Sequence, residues 1–311
     1  MRSSTVPARI IAIVFALIAA PAGAGMLSTG GREWSLAFSA FGPIDPTTLL
    51  GPVLLQILGG ILLLAVVATG FWTSAGLLAT GVLGLGALAG ALLPAVVLPL
   101  YRSPVPSPWV DGLVYGVPLV LFCAFGAMGL VLLLARRSPA RPHPALQIVG
   151  LVATPVLLAG GALLIALGLA RGPLVAFQQY RFDVAPDAVA ALLAGVVLVL
   201  VGILLTRWSP FALLLPALVL LVLTPMALTP ASPLYDAFLR TSMELSRTAP
   251  LLLSMGTGVV TALAYVLFTV ILLRVRSRVR ILPGTYVAPL GPDGYPVSPT
   301  LPAQPPYTAG G

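Results

Sequence analysis

Chemistry inside a membrane needs ionisable or nucleophilic side chains within the apolar spans, and this 311-residue chain places almost none there. Its single histidine, His143, lies between Pro142 and Pro144 in an arginine-rich stretch with no acid nearby to orient it. Its single cysteine, Cys123, sits inside an apolar run and reads as a small buried hydrophobe. One cysteine also excludes an intrachain disulfide framework and a cysteine-rich metal site. No aspartate pair, Ser–His couple or His-Glu-x-x-His sequence falls within an apolar run, so intramembrane proteolysis has no candidate residues. A proton relay lacks carriers for the same reason. The chain contains no lysine, which removes the phosphate-gripping Gly-x-x-x-x-Gly-Lys loop. The expectation is a protein that is not an enzyme and uses neither cofactor nor metal.

What remains as candidate chemistry is backbone exposed by proline, with hydroxyls beside it. Pro94 and Pro99 interrupt the third apolar run, and Pro216 and Pro225 interrupt the seventh. Helices broken at matching positions of two halves are the best sequence pointer to a substrate path in a transporter. Freed carbonyls there could accept hydrogen bonds, with Thr80 and Thr224 as the nearest hydroxyls. Pro118 and Pro155 lie in non-matching runs and dilute this signal.

The elements that must position these residues follow from composition. The chain is 59% hydrophobic and 8% charged, with a mean hydropathy of +1.08. Soluble chains carry about 25% charged residues, so the fold class is all-α, a polytopic helical bundle in a membrane. Crossing about 30 Å of hydrocarbon takes about 20 helical residues. Eight uncharged runs qualify or come close: Ile10–Met26, Leu49–Thr69, Ala75–Leu100, Leu113–Ala135, Leu146–Ala170, Ala188–Thr206, Phe211–Leu228 and Ala249–Leu273. The first also resembles a signal peptide, because Arg2 and Arg9 precede it and Pro21-Ala22-Gly23-Ala24-Gly25 could form a cleavage site; the internal repeat described below needs it as a span.

Arginine sets the orientation. With eight spans, Arg2, Arg9, Arg136, Arg137, Arg141, Arg207, Arg274, Arg276, Arg278 and Arg280 share one side with Asp293. The other side holds six arginines and seven acids, among them Arg32, Arg171, Asp111, Asp187 and Glu244. The positive-inside rule therefore places both termini in the cytoplasm, of a plasma membrane and most simply a bacterial one. Trp34, Trp72, Trp109 and Trp208 fall at span ends or in loops, as an aromatic belt requires. The sequence isoelectric point near 10.4 invites a nucleic-acid reading, which the dispersal of the arginines among apolar runs excludes.

Similar phrases recur in the inner turns: Trp72-Thr73-Ser74, Arg137-Ser138-Pro139, Trp208-Ser209-Pro210 and Arg276-Ser277-Arg278. They mark two candidate halves, residues 1–140 and 141–280, each of four spans and therefore of one orientation. Gly86-x-x-x-Gly90 and Gly112-x-x-x-Gly116 permit close helix approach. Residues 232–247 read as an interfacial helix with Asp236, Arg240, Glu244 and Arg247 on one stripe. Residues 281–311 hold eight prolines and read as a disordered cytoplasmic tail. The expected role is a non-enzymatic scaffold or membrane subunit of a larger assembly. It would meet the lipid bilayer along its spans and a protein partner through its outer loops or tail. The alternative is a carrier or permease for a small apolar or lipid-like substrate, using Thr80, Pro94, Pro99, Pro216, Thr224 and Pro225.

Overall fold

A backbone in hydrocarbon must satisfy its own hydrogen bonds, so long uncharged runs fold as helices. The computed structural model describes residues 6–39, 46–137, 144–180, 182–227, 240 and 242–281. Its helices are α1 (Val6–Ser39), α2 (Leu50–Ala68), α3 (Ala75–Leu92), α4 (Ser107–Val114), α5 (Val117–Arg137) and α6 (Pro144–Arg171). They continue as α7 (Pro173–Gln179), α8 (Pro186–Leu205), α9 (Leu214–Ala227), α10 (Met243–Ser254) and α11 (Thr257–Ile281). Among the described residues there is no strand, and the chain is an all-α helical bundle. The proline-rich tail beyond 281, His143, residues 228–239 and residue 241 lie outside the described residues; the helix expected over 232–247 is interrupted at Ser242, whose backbone is extended, and α10 begins at Met243.

Seven of these helices are long and apolar enough to cross a membrane, where the sequence indicates about eight. The seventh run differs. It forms the shorter helix Pro210–Met226, which enters through a 3-10 turn at Pro210–Leu213. The third span is also shorter than its apolar run. It stops at Leu92, Leu93 leaves the helical region (φ −126°, ψ 71°), and Pro94 opens a 3-10 turn. A residue before proline is pushed out of the α conformation, so Pro94 and Pro99 follow the helix instead of kinking it.

The fourth and eighth runs each break into a short helix and a spanning one. The break falls at Gly116 (φ +83°) between α4 and α5, and at Gly256 (φ +76°) between α10 and α11. Both breaks use the same bonds: Tyr115 N–H donates to Asp111 and Gly116 N–H to Leu113, while Met255 N–H donates to Leu251 and Gly256 N–H to Leu253. A side chain at positive φ costs about 1–2 kcal/mol. Gly116→Ala and Gly256→Ala are therefore expected to lower stability by at least that amount. Gly116 should suffer more, because Leu169 already lies against it. Thermal unfolding of the detergent-solubilised protein checks the order, and Asn, which tolerates this conformation, should be milder at Gly256.

The same packing recurs about 138 residues along. α1 lies mainly on α2, and α6 mainly on α8. Gly23 faces the carbonyl of Gly59, and Gly161 faces the carbonyl of Gly195. Gly30 lies against Pro52 and Gln56, and Gly168 against Ala188 and Leu192. α3 packs on α5 as α9 packs on α11, and each short helix lies on the first span of its half, α4 on α1 and α10 on α6. The halves meet through α5 against α11, with α5 also on α8 and α11 on α2. Phe125, Met128 and Leu132 of α5 and Phe268 of α11 are fully buried there.

Glycine lets α3 and α5 approach closely, though through residues other than the Gly86–Gly90 pair. A Cβ on Gly81 would come within 2.7 Å of the Gly126 backbone, and one on Gly84 would meet Cys123. Gly86 faces open space. Gly112 and Gly116 are both in close contact, with Ser28 and Leu169.

Candidate functional site

Three ion pairs join helices at one end of the bundle. Asp111 on α4 receives Arg32 of α1 at 2.8 Å and the Tyr101 hydroxyl at 2.7 Å. Burial, reinforced by that bond to Asp111, pushes the Tyr101 phenol well above its ordinary pKa. In the second half, Arg171 of α6 holds Glu244 of α10 at 2.7 Å and Asp187 of α8 at 3.3 Å. Each short helix is thus tied to the first span of its half by an arginine–carboxylate pair. Tyr101, Phe177 and Phe182 meet in sequence across the same end, the first two rings tilted and the last two edge to face, with centroids 5.8 Å apart at each step. The Arg171 pairs are exposed, and the Asp111 carboxylate is partly buried. Among the described residues there is no cluster of three His, Cys, Asp or Glu that could hold a metal.

A second feature lies where the halves meet. A cavity of about 270 Å3 opens between α2, α9, α10 and α11. Leu27, Val53, Leu64, Leu253, Val259 and Val260 give it an apolar wall, and Gly60 keeps it open. Ile57, Ile61 and Leu263 line its mouth and are 51%, 56% and 41% exposed, so the cavity opens on the bundle's apolar flank. Its polar surface comes from Gln56, Thr224, Ser254 and Gly256.

Each of these polar groups is placed by a local cause. The end of a helix leaves carbonyls without partners. The break at Gly256 does so inside an apolar bundle, where an unpaired carbonyl is costly. Gln56, about 9 Å along α2 at 1.5 Å per residue, supplies the partner: its Nε2 donates to the Ser254 carbonyl at 2.9 Å. Thr224 is buried on α9, and its hydroxyl donates to the Leu220 carbonyl at 2.7 Å. Gly258 leaves room for that hydroxyl.

Of the residues singled out in the sequence, Thr224 lines the cavity. Pro225 follows it on α9 and points outward. Pro216 sits in the first turn of α9, where a missing N–H costs nothing. Thr80 is buried on α3 and donates to the Gly76 carbonyl at 3.0 Å, away from the cavity. Pro94 is buried after α3, and Pro99 is exposed. The third and seventh spans are therefore not brought to one site. Gln56 was missed because an amide inside an apolar run changes neither charge nor periodicity. Its signal is that it is the amide-bearing residue in the middle of the second run.

No known protein family, curated protein or solved structure matches the chain.

Proposed function

We propose that the chain is a non-catalytic multi-pass membrane protein that receives a small apolar or lipid-like substrate from the bilayer, in the manner of a carrier. The observation that carries this reading is the cavity beside the Gly256 break, at the junction of the two halves and open to the apolar flank. Ligand sites are concave and mostly apolar with a few fixed polar groups. Transporter sites form where helices are discontinuous at a repeat interface. The recurring contacts support reading residues 1–140 and 141–280 as two copies of one four-span unit. On this reading the arginine-rich end faces the cytoplasm, and the cavity lies in the outer half of the bilayer.

Mass spectrometry of the full chain extracted with its native lipid tests the reading. The expected result is a small lipid-like molecule bound at about one per chain. It should be lost from Ile57→Trp, which blocks the mouth at an exposed position without touching the core. A protein held in fixed ratio with no such molecule would instead support the membrane-subunit reading, with the partner on the outer loops or the tail.

A further inference from the structure

The donors and acceptors in the cavity define what can bind there, provided the cavity is a ligand site as proposed above. Thr224 spends its hydroxyl proton on Leu220, and Ser254 spends its own on the Leu251 carbonyl at 2.8 Å. Gln56 spends one N–H on Ser254. Among the described residues its Oε1 accepts no hydrogen bond, and its second N–H makes none. An amide so placed offers one acceptor and one donor side by side. No charged residue lines the cavity.

We infer that the cavity selects a neutral amphiphile headed by a hydroxyl, a long-chain or polycyclic alcohol, with Gln56 as the residue that recognises the head. A hydroxyl gives a proton to Oε1 and takes one from Nε2. A carboxylate offers acceptors alone and would lose its solvation in a cavity without a cation. A plain alkane leaves Gln56 unpaired in a drier site than the open cavity. An apolar cavity of about 150 Å3 takes a benzene ring, so one of about 270 Å3 takes roughly ten heavy atoms. A longer chain would leave between Ile57, Ile61 and Leu263 into lipid.

The other junction between the halves holds a break of the same kind without an amide beside it. In the repeated register Leu192 occupies its place, fully buried over Gly168. Leu169 packs onto Gly116 there, while Gly31 stands in the corresponding position of the first half. The break at Gly116 is built like the one at Gly256, yet bulky aliphatic side chains fill its surroundings. An amide and an opening occur together at one junction of the two.

The test uses the full chain in phosphatidylcholine nanodiscs with three photoreactive ten-carbon probes: an alkane, a primary alcohol and a carboxylate at pH 8. Labelled residues are located by mass spectrometry. The alcohol is expected to label the lining residues Val53, Gln56, Ile57, Gly60, Leu253 and Val260 about two- to tenfold more than the alkane, the range of one net hydrogen bond. The carboxylate should fall at or below the alkane. Gln56→Met keeps the side-chain length and should reduce the alcohol to the alkane level. Equal labelling by alcohol and alkane, a carboxylate preference, or an alcohol preference that survives Gln56→Met would overturn the inference while leaving the cavity a ligand site. Labelling of these residues no stronger than that of the lipid-exposed Leu54 and Leu58 would overturn the proposed function itself.

Discussion

Alanine at Gly59 or at Gly195 is expected to destabilise the bundle by about 1–3 kcal/mol, and leucine at either should prevent it from forming. The reason is geometric. A Cβ on Gly59 would stand 2.6 Å from the Gly23 carbonyl oxygen and 3.0 Å from the Leu27 nitrogen. One on Gly195 would stand 2.8 Å from the Gly161 carbonyl oxygen and 2.8 Å from the Ile165 nitrogen. Both obstacles are backbone, so relief requires moving a whole helix and loosening every contact along α1–α2 or α6–α8. Helix association in lipid rests on close packing of this kind, since burial of apolar surface supplies little there. Alanine favours an isolated helix over glycine by about 1 kcal/mol, which opposes the effect and makes the controls informative. Gly51→Ala and Gly86→Ala add a Cβ where nothing lies within 4 Å and should be neutral or slightly stabilising. Thermal unfolding followed by tryptophan fluorescence measures all four. If Gly59→Ala behaves like Gly51→Ala, the close packing of α1 on α2 is not what holds the first half together. If Gly59→Ala and Gly195→Ala differ widely, the two halves do not share an energetic plan.

The helices themselves were legible because charge is so scarce. A run without Asp, Glu, Arg or His between an acid at one end and an arginine at the other determines a span to within a few residues, as at 117–135 and 188–205. The ends of the third, fourth and eighth spans were not legible. Gly116 and Gly256 are two among 32 glycines, and glycine is common in membrane helices. Positive φ is imposed at these two by the way α4 and α10 lie back over the first span of each half, a tertiary cause with no local mark. The site suffered the same limit. Proline drew attention to the third and seventh runs, but Pro94 ends a helix instead of opening one, and Thr80 faces α3's own backbone. Thr224 reached the cavity because Gly258 across from it has no side chain, a pairing that spacing along the sequence does not reveal.

The second large effect is expected at the opposite end of the bundle, from Arg136→Ala and Arg276→Ala. Arg136 in the last turn of α5 reaches back to the Gly70 carbonyl at 2.5 Å, just past the end of α2. Arg276 near the end of α11 reaches the carbonyls of Thr206 and Arg207, just past the end of α8. These are the last carbonyls of their spans, at the negative end of the helix dipole, where a cation is favoured. A hydrogen bond from a charged donor contributes about 1.5–3 kcal/mol. Alanine removes the donor and leaves the carbonyl at the edge of the apolar layer, so each substitution should cost about that much. Lysine should recover part of the loss, because both bonds at 206 and 207 come from one guanidinium nitrogen, Nη2, and an ammonium carries the same charge with three N–H donors on a differently shaped side chain. Arg274 lies over the Phe71 ring, 5.4 Å from its centroid, and strengthens the same end from α11. The comparison that decides the matter is Arg137→Ala, which removes an equal charge from an exposed position one residue away. Should Arg136→Ala and Arg137→Ala lower the unfolding temperature equally, the arginines act through net charge at the membrane surface. A clear excess at 136, matched at 276, would identify both as the caps that close the two halves.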